Sequence, residues 1–168
     1  GNQPGIRYDH GMAFDGLRVI LFGGNKNAGL AANDTWGFTG TAWTQLAVTG
    51  PSQGERLGLA QDPAAGRVIL FGGSNSISNY TNDTWEWNGA NLTWCQATLT
   101  APQPAGREYP AMAFDGRGVI FHAGLNSGLV TLADEDPRAA SVLAALSWPG
   151  PGDRPARAGH HATLRCTP

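Results

Sequence analysis

The chain has 168 residues, the size of one domain, and its 24 Gly and 11 Pro beside only 14% charged residues describe a turn-rich chain too weakly charged to stay unfolded. A domain of this length buries roughly 70% of its unfolded surface, so a core requires neither metal nor disulfide. A net charge of -2 excludes the broad basic patch of a nucleic-acid binder, and no apolar run approaches the ~18 residues of a membrane span, so neither nucleic acid nor membrane is expected as a partner.

The chain opens on Gly1-Asn2-Gln3-Pro4, which lacks the charged and apolar regions of a leader. The compartment stays open on this reading, with an extracellular or periplasmic location favoured. Beyond Arg7 the pattern reads as four strands divided by turn residues. Strand A is His10 to Phe14, closed by Asp15-Gly16; strand B is Arg18 to Phe22; strand C is Thr35 to Phe38; strand D is Trp43 to Leu46. Strand B is apolar without alternation, so both of its faces need cover, which a two-layer sandwich does not provide.

The same pattern returns with a period near 50. Arg18-Val19-Ile20-Leu21-Phe22-Gly23-Gly24 recurs 49 residues on as Arg67-Val68-Ile69-Leu70-Phe71-Gly72-Gly73, and more weakly as Gly118-Val119-Ile120-Phe121-His122-Ala123-Gly124. Asn33-Asp34-Thr35-Trp36 recurs as Asn82-Asp83-Thr84-Trp85, and Met12-Ala13-Phe14-Asp15-Gly16 as Met112-Ala113-Phe114-Asp115-Gly116. An Arg is read as opening each unit, at Arg7, Arg56, Arg107 and Arg157. On this alignment the second unit loses two residues between Arg56 and Asp62 and gains two in the turn Pro63-Ala64-Ala65-Gly66, which preserves the alternation of faces. In its strand C, Trp85 and Trp87 point one way and Thr84 and Glu86 the other, so strand C is expected half exposed. The third unit has no Asp-Thr-Trp; Asp134 to Leu146 instead predicts a short helix near 137-146, from its acidic cap, Pro137 at the first helical position and an Ala139, Val142, Leu143, Leu146 stripe.

Four-stranded antiparallel sheets repeated every ~50 residues and covered on both faces describe the blades of a β-propeller. The Val-Ile-Leu-Phe-Gly-Gly and Asn-Asp-Thr-Trp motifs resemble the kelch repeat family, in the bacterial form that is also similar to the central domain of galactose oxidase. The expected fold is all-β, a partial propeller of kelch-type blades in one incomplete unit over 1-168. Its repeats fall at about 7-50, 51-100 and 101-150, with a partial fourth at 151-168. Propellers close with 4 to 8 blades, so the chain is expected either to be part of a longer propeller or to associate, most simply as a homodimer.

The turns from A to B and from C to D are short; the B to C and D to A connections are long and differ between repeats. A ligand is therefore expected on the long-loop face near the axis, with Arg7, Asn25, Arg56, Asn75, Tyr80, Arg107, Tyr109 and Arg157 as candidate binding residues. An arc of arginines suits a carboxylate or sulfated sugar; the resemblance implies instead that such an Arg ties neighbouring blades. Glu55, Glu108 and Asp153 read as partners of Arg56, Arg107 and Arg154 in preference to glycosidase carboxylates.

His160 and His161 point to opposite faces of a strand and no ligand cluster accompanies them, so no metal or other cofactor is expected. The copper pattern of galactose oxidase, Tyr and His ligands with a Cys-modified Tyr, is not matched, and no activated nucleophile stands out. The favoured function is a noncatalytic module recognising a glycan or a protein; the alternative is a carbohydrate-active or copper-dependent oxidase-like enzyme, or a fragment of one. Cys95 and Cys166, placed on an outer and an inner strand, are expected not to bond to each other.

Overall fold

The structure is a computed structural model that describes residues 2-126 apart from 27-28, 47-48, 53, 76-78, 98-103 and 117. Every regular element among the described residues is a strand: β1 (Arg7–Tyr8), β2 (Gly11–Phe14), β3 (Val19–Phe22), β4 (Asn25–Lys26), β5 (Leu30–Ala31), β6 (Thr35–Phe38), β7 (Trp43–Gln45), β8 (Gly58–Asp62), β9 (Arg67–Phe71), β10 (Thr84–Asn88), β11 (Thr93–Gln96), β12 (Ala111–Phe114) and β13 (Val119–His122). The strands β2-β3-β6-β7 form one antiparallel sheet, β8-β9-β10-β11 a second, and β12-β13 the start of a third. In each sheet the neighbours follow chain order, which is the A to D meander the sequence describes. Ile20 stands opposite Ala13 and Gly37, and its counterpart Ile69 stands opposite Ala60 and Glu86.

The unbroken apolar runs of β3 and β9 follow from their place between layers. Ile20 and Phe22 pack with Val68, Leu70, Trp87 and Trp94 between the first and second sheets. Ile69 and Phe71 point the other way and join Ala60, Ala97, Val119 and Phe121 between the second and third. All five residues of β9 are buried, and burial of each of its four apolar side chains, Val68, Ile69, Leu70 and Phe71, stabilises the fold by about 1.5–3 kcal/mol. Strand β6 is more buried than its alternation predicts, with Thr35, Trp36 and Gly37 all inside.

Polar contacts pin the first two sheets together. Trp87 Nε1 donates to Asp15 Oδ2 at 3.1 Å, Trp94 Nε1 donates to Thr35 Oγ1 at 2.9 Å, and Arg18 Nη2 reaches the Gly89 carbonyl at 3.2 Å. The Gly-Gly pair that ends strand B of the first two sheets has a steric reason. Gly23 and Gly24 have φ of 68° and 88°, Gly72 and Gly73 of 67° and 96°, left-handed values that favour glycine, and a Cβ on Gly23 would collide with the Gly54 carbonyl oxygen.

At the long-loop end, β1, β4 and β5 form a small three-stranded sheet, echoed in the later repeats by the bridges Glu55–Ser74, Ser74–Tyr80 and Glu108–Leu125. The expected helix near 137-146 and the partial fourth repeat lie outside the described residues. Cys95 is disulfide-bonded, and with two cysteines in the chain this runs against the expectation that Cys95 and Cys166 stay apart. That expectation assumed an inner strand ending at Cys166, which lies outside the described residues.

Candidate functional site

Counting back from the Asp that closes each inner strand, Asp15, Asp62 and Asp115, the three repeats align without a gap through the strand entry. Six residues back stand Asp9, Arg56 and Tyr109. All three are left-handed, with φ of 57°, 58° and 54°, a conformation that strains any residue with a side chain. Their backbones are linked in series: the Arg56 N–H donates to the Asp9 carbonyl at 2.8 Å, and the Tyr109 N–H donates to the Arg56 carbonyl at 2.6 Å. The strain is thus held at the entry of each inner strand, on the long-loop face.

The side chains of this row converge. Arg56 Nε donates to Asp9 Oδ2 at 3.2 Å and its Nη1 to Glu108 Oε2 at 3.0 Å, with Glu55 Oε1 3.6 Å away. The Tyr109 hydroxyl donates to Asp9 Oδ2 at 3.3 Å, and the Arg56 guanidinium carbon lies 5.8 Å from the Tyr109 ring centre. Asn25 Nδ2 donates to the buried Glu55 at 2.6 Å. Burial raises the Tyr109 hydroxyl above its ordinary value and the Asp9 carboxylate adds to the shift. One guanidinium faces three carboxylates, so the centre of this face is acidic.

Arg56 therefore does not occupy the repeat position of Arg7 and Arg107, as the sequence alignment assumed. Those two stand eight residues before the closing Asp, and Gly54 stands there in the second repeat. The two-residue loss lies upstream of the strand and leaves β8 intact. Arg7 turns into its own sheet, where Nη1 reaches the Gly23 carbonyl at 2.9 Å and Asp34 Oδ1 at 2.7 Å, while Nη2 reaches Asp34 Oδ2 at 3.1 Å. Arg107, 3% exposed, sends Nη1 to the Ala123 carbonyl at 3.1 Å and lies 5.1 Å from the centre of the Phe121 ring. No arc of guanidinium groups faces solvent among the described residues. Glu108 pairs with Arg56 rather than with Arg107.

Of the candidate residues, Arg56 and Tyr109 meet directly, and Asn25 touches their circle through Glu55. Asn75 and Tyr80 lie on the second long loop, where the Asn75 N–H donates to the Asn79 carbonyl at 3.2 Å and Tyr80 bridges Ser74. Arg157 lies outside the described residues, as do His160, His161 and Asp153. Sequence reasoning missed Asp9. The ungapped alignment from the closing Asp was the signal that would have found it, since it sets Asp9, Arg56 and Tyr109 in one column.

Stacked four-stranded antiparallel sheets of meander order, with inner strands side by side, define a partial β-propeller. The family model described as the KLHDC2/KLHL20/DRC7 Kelch-repeats domain matches residues 1–135, and the chain belongs to this kelch-repeat family. A kelch-repeat domain suggests a protein-interaction module. Comparison with curated proteins found no match.

Proposed function

We propose that the chain is a noncatalytic interaction module that holds a protein partner on its long-loop face, centred on Asp9, Arg56 and Tyr109. The carrying observation is the strained row itself: three residues with side chains sit where glycine is preferred, each costing about 1–3 kcal/mol of backbone strain. Such strain gathers at sites that serve binding, and Arg and Tyr are the residue types enriched where binding energy concentrates. The polar groups of the row are largely engaged with one another, which gives the face a fixed shape for a partner to fit. A glycan is the second ligand class this face suits, because Tyr8 and Tyr109 are 54% and 50% exposed and offer flat rings to a sugar.

The test is peptide display against the chain, paired with a glycan array. Arg56→Asn and Tyr109→Asn place a residue tolerant of the left-handed conformation at each position, so the fold survives while the side chains change. Selected peptides are expected to lose at least about tenfold in affinity to each variant. Peptides that bind both variants as well as the parent would remove the row from recognition. Sugar binding without peptide binding would move the assignment to a lectin, and stoichiometric copper with alcohol oxidation would replace it with the oxidase.

A further inference from the structure

The substitution of Gly54 for the repeat arginine leaves its receptors in place. In the first repeat the Arg7 guanidinium is held by the Gly23 carbonyl and by both oxygens of Asp34. In the second repeat Gly72 stands at the position of Gly23 and Asp83 at that of Asp34. The Gly54 backbone does what an arginine backbone does here: the Gly24 N–H donates to its carbonyl at 2.8 Å, as the Gly73 N–H does to Arg107 at 2.8 Å. Its own N–H donates to Ala32 at 2.9 Å, as that of Arg107 does to Thr81 at 3.2 Å. What is missing is the side chain alone.

The space it vacates is open. A small, open cleft lies between the first two sheets and is lined by Gly54, Gly72, Ser74, Thr81, Asp83 and Trp85 among others. Ser74 is 1% exposed, and its hydroxyl has no hydrogen-bond partner. Asp83 Oδ1 accepts from Gln96 Nε2 at 3.0 Å in an exposed contact, and no other side chain among the described residues is seen donating to this carboxylate. The adjoining Glu55 and the acidic row beyond it favour a cation.

We propose that this cleft is a guanidinium site that takes an arginine side chain presented by a protein partner. The arginine would place its fork on Asp83 and the Gly72 carbonyl and bring a donor to the Ser74 hydroxyl, reproducing from outside the contacts Arg7 makes from within. A planar two-pronged donor suits a carboxylate set beside a carbonyl, and a lysine ammonium cannot span both. The source of the arginine rests on the interaction reading above; the chemistry of the cleft does not.

The probe is N-acetyl-arginine N-methylamide, titrated into the isotope-labelled chain by amide NMR. Saturable shifts are expected at Gly54, Gly72, Ser74 and Asp83, with the lysine analogue several-fold weaker. Asp83→Asn is expected to weaken binding at least tenfold. Gly54→Arg restores the internal arginine and is expected to abolish binding. The position accepts a side chain, since a Cβ there meets nothing closer than Leu57 Cδ2 at 3.4 Å. No saturable shifts at these amides, or undiminished binding by either variant, would overturn the proposal without touching the role of Arg56 and Tyr109. Light scattering with the probe separates the sources: self-association that the probe dissolves would put a second copy's arginine in the cleft and overturn the assignment to another protein, and association it leaves unchanged supports that assignment.

Discussion

Thr35 and Thr84 occupy one position of the repeat, each opening a strand C, yet the same substitution is expected to act on them with opposite sign. Thr35 is 1% exposed and its hydroxyl accepts the indole N–H of Trp94, a residue of the neighbouring sheet that is itself 7% exposed. Thr35→Val preserves shape and leaves that N–H buried without an acceptor, which costs about 1–3 kcal/mol. Thr84 is 2% exposed, its carbonyl accepts the Ala97 N–H as that of Thr35 accepts the Leu46 N–H, and its hydroxyl has no partner. Thr84→Val removes a hydroxyl already buried at a loss and is expected to be neutral or to gain up to about 1 kcal/mol. The two variants should thus differ by roughly 1–4 kcal/mol, which at this chain length separates their melting midpoints by several degrees. Urea unfolding with unchanged slope is the assay, because a shifted midpoint at constant slope reports stability alone. Equal effects of the same sign in the two variants would show that the Trp94–Thr35 bond does not join the sheets as described.

Three further outcomes are expected. Burial pushes the Asp34 carboxyl up, but hydrogen bonds from Arg7, Trp36 and Lys26 outweigh it and hold the group well below the usual carboxylate range. Its stabilisation is complete above the ordinary value of 3.8 and is lost as pH falls below it, so Asp34→Asn should flatten the acid limb of a stability profile; a limb of unchanged steepness would contradict the pairing. Ala123 holds φ 57° where Gly23 and Gly72 hold 68° and 67°, so Ala123→Gly should stabilise by about 1 kcal/mol, and a denaturation midpoint that falls would argue against strain there. Met12 and Phe14 are each 47% exposed, whereas their counterparts Met112 and Phe114 pack on the second sheet; the chain by itself should associate through this bare face, and Met12→Glu with Phe14→Glu should disperse it. Light scattering that finds the parent chain monomeric would refute the association.

The blade was legible because its signals are local. Val-Ile-Leu-Phe without alternation announces two covered faces, the Gly-Gly pair announces left-handed backbone, and Thr35–Phe38 has the boundaries its residues predict. The burial of β6 was less legible, since alternation in one strand says nothing about how closely Trp94 of the next sheet approaches Thr35. The site was hidden by a plausible error. Arginine is a conspicuous marker, and setting Arg56 opposite Arg7 shifted the second repeat by two residues at the entry where the row is built. Only the backbone bonds Arg56 to Asp9 and Tyr109 to Arg56 fix which residues are neighbours across a separation of 47 residues or more, and no local pattern encodes them.

Those same bonds give the row a freedom that the rest of the blade lacks. Each repeat docks its strand entry on the preceding one through a main-chain bond that any residue type can make, and the side-chain bonds of the row are added on top of it. An acid, a base and a phenol already occupy the three equivalent places. The blade interior tolerates no such variety, because Ile20, Phe71 and Trp87 are held by the volumes around them. On the proposed reading, the row is where such a propeller would change its partner while its architecture stands still.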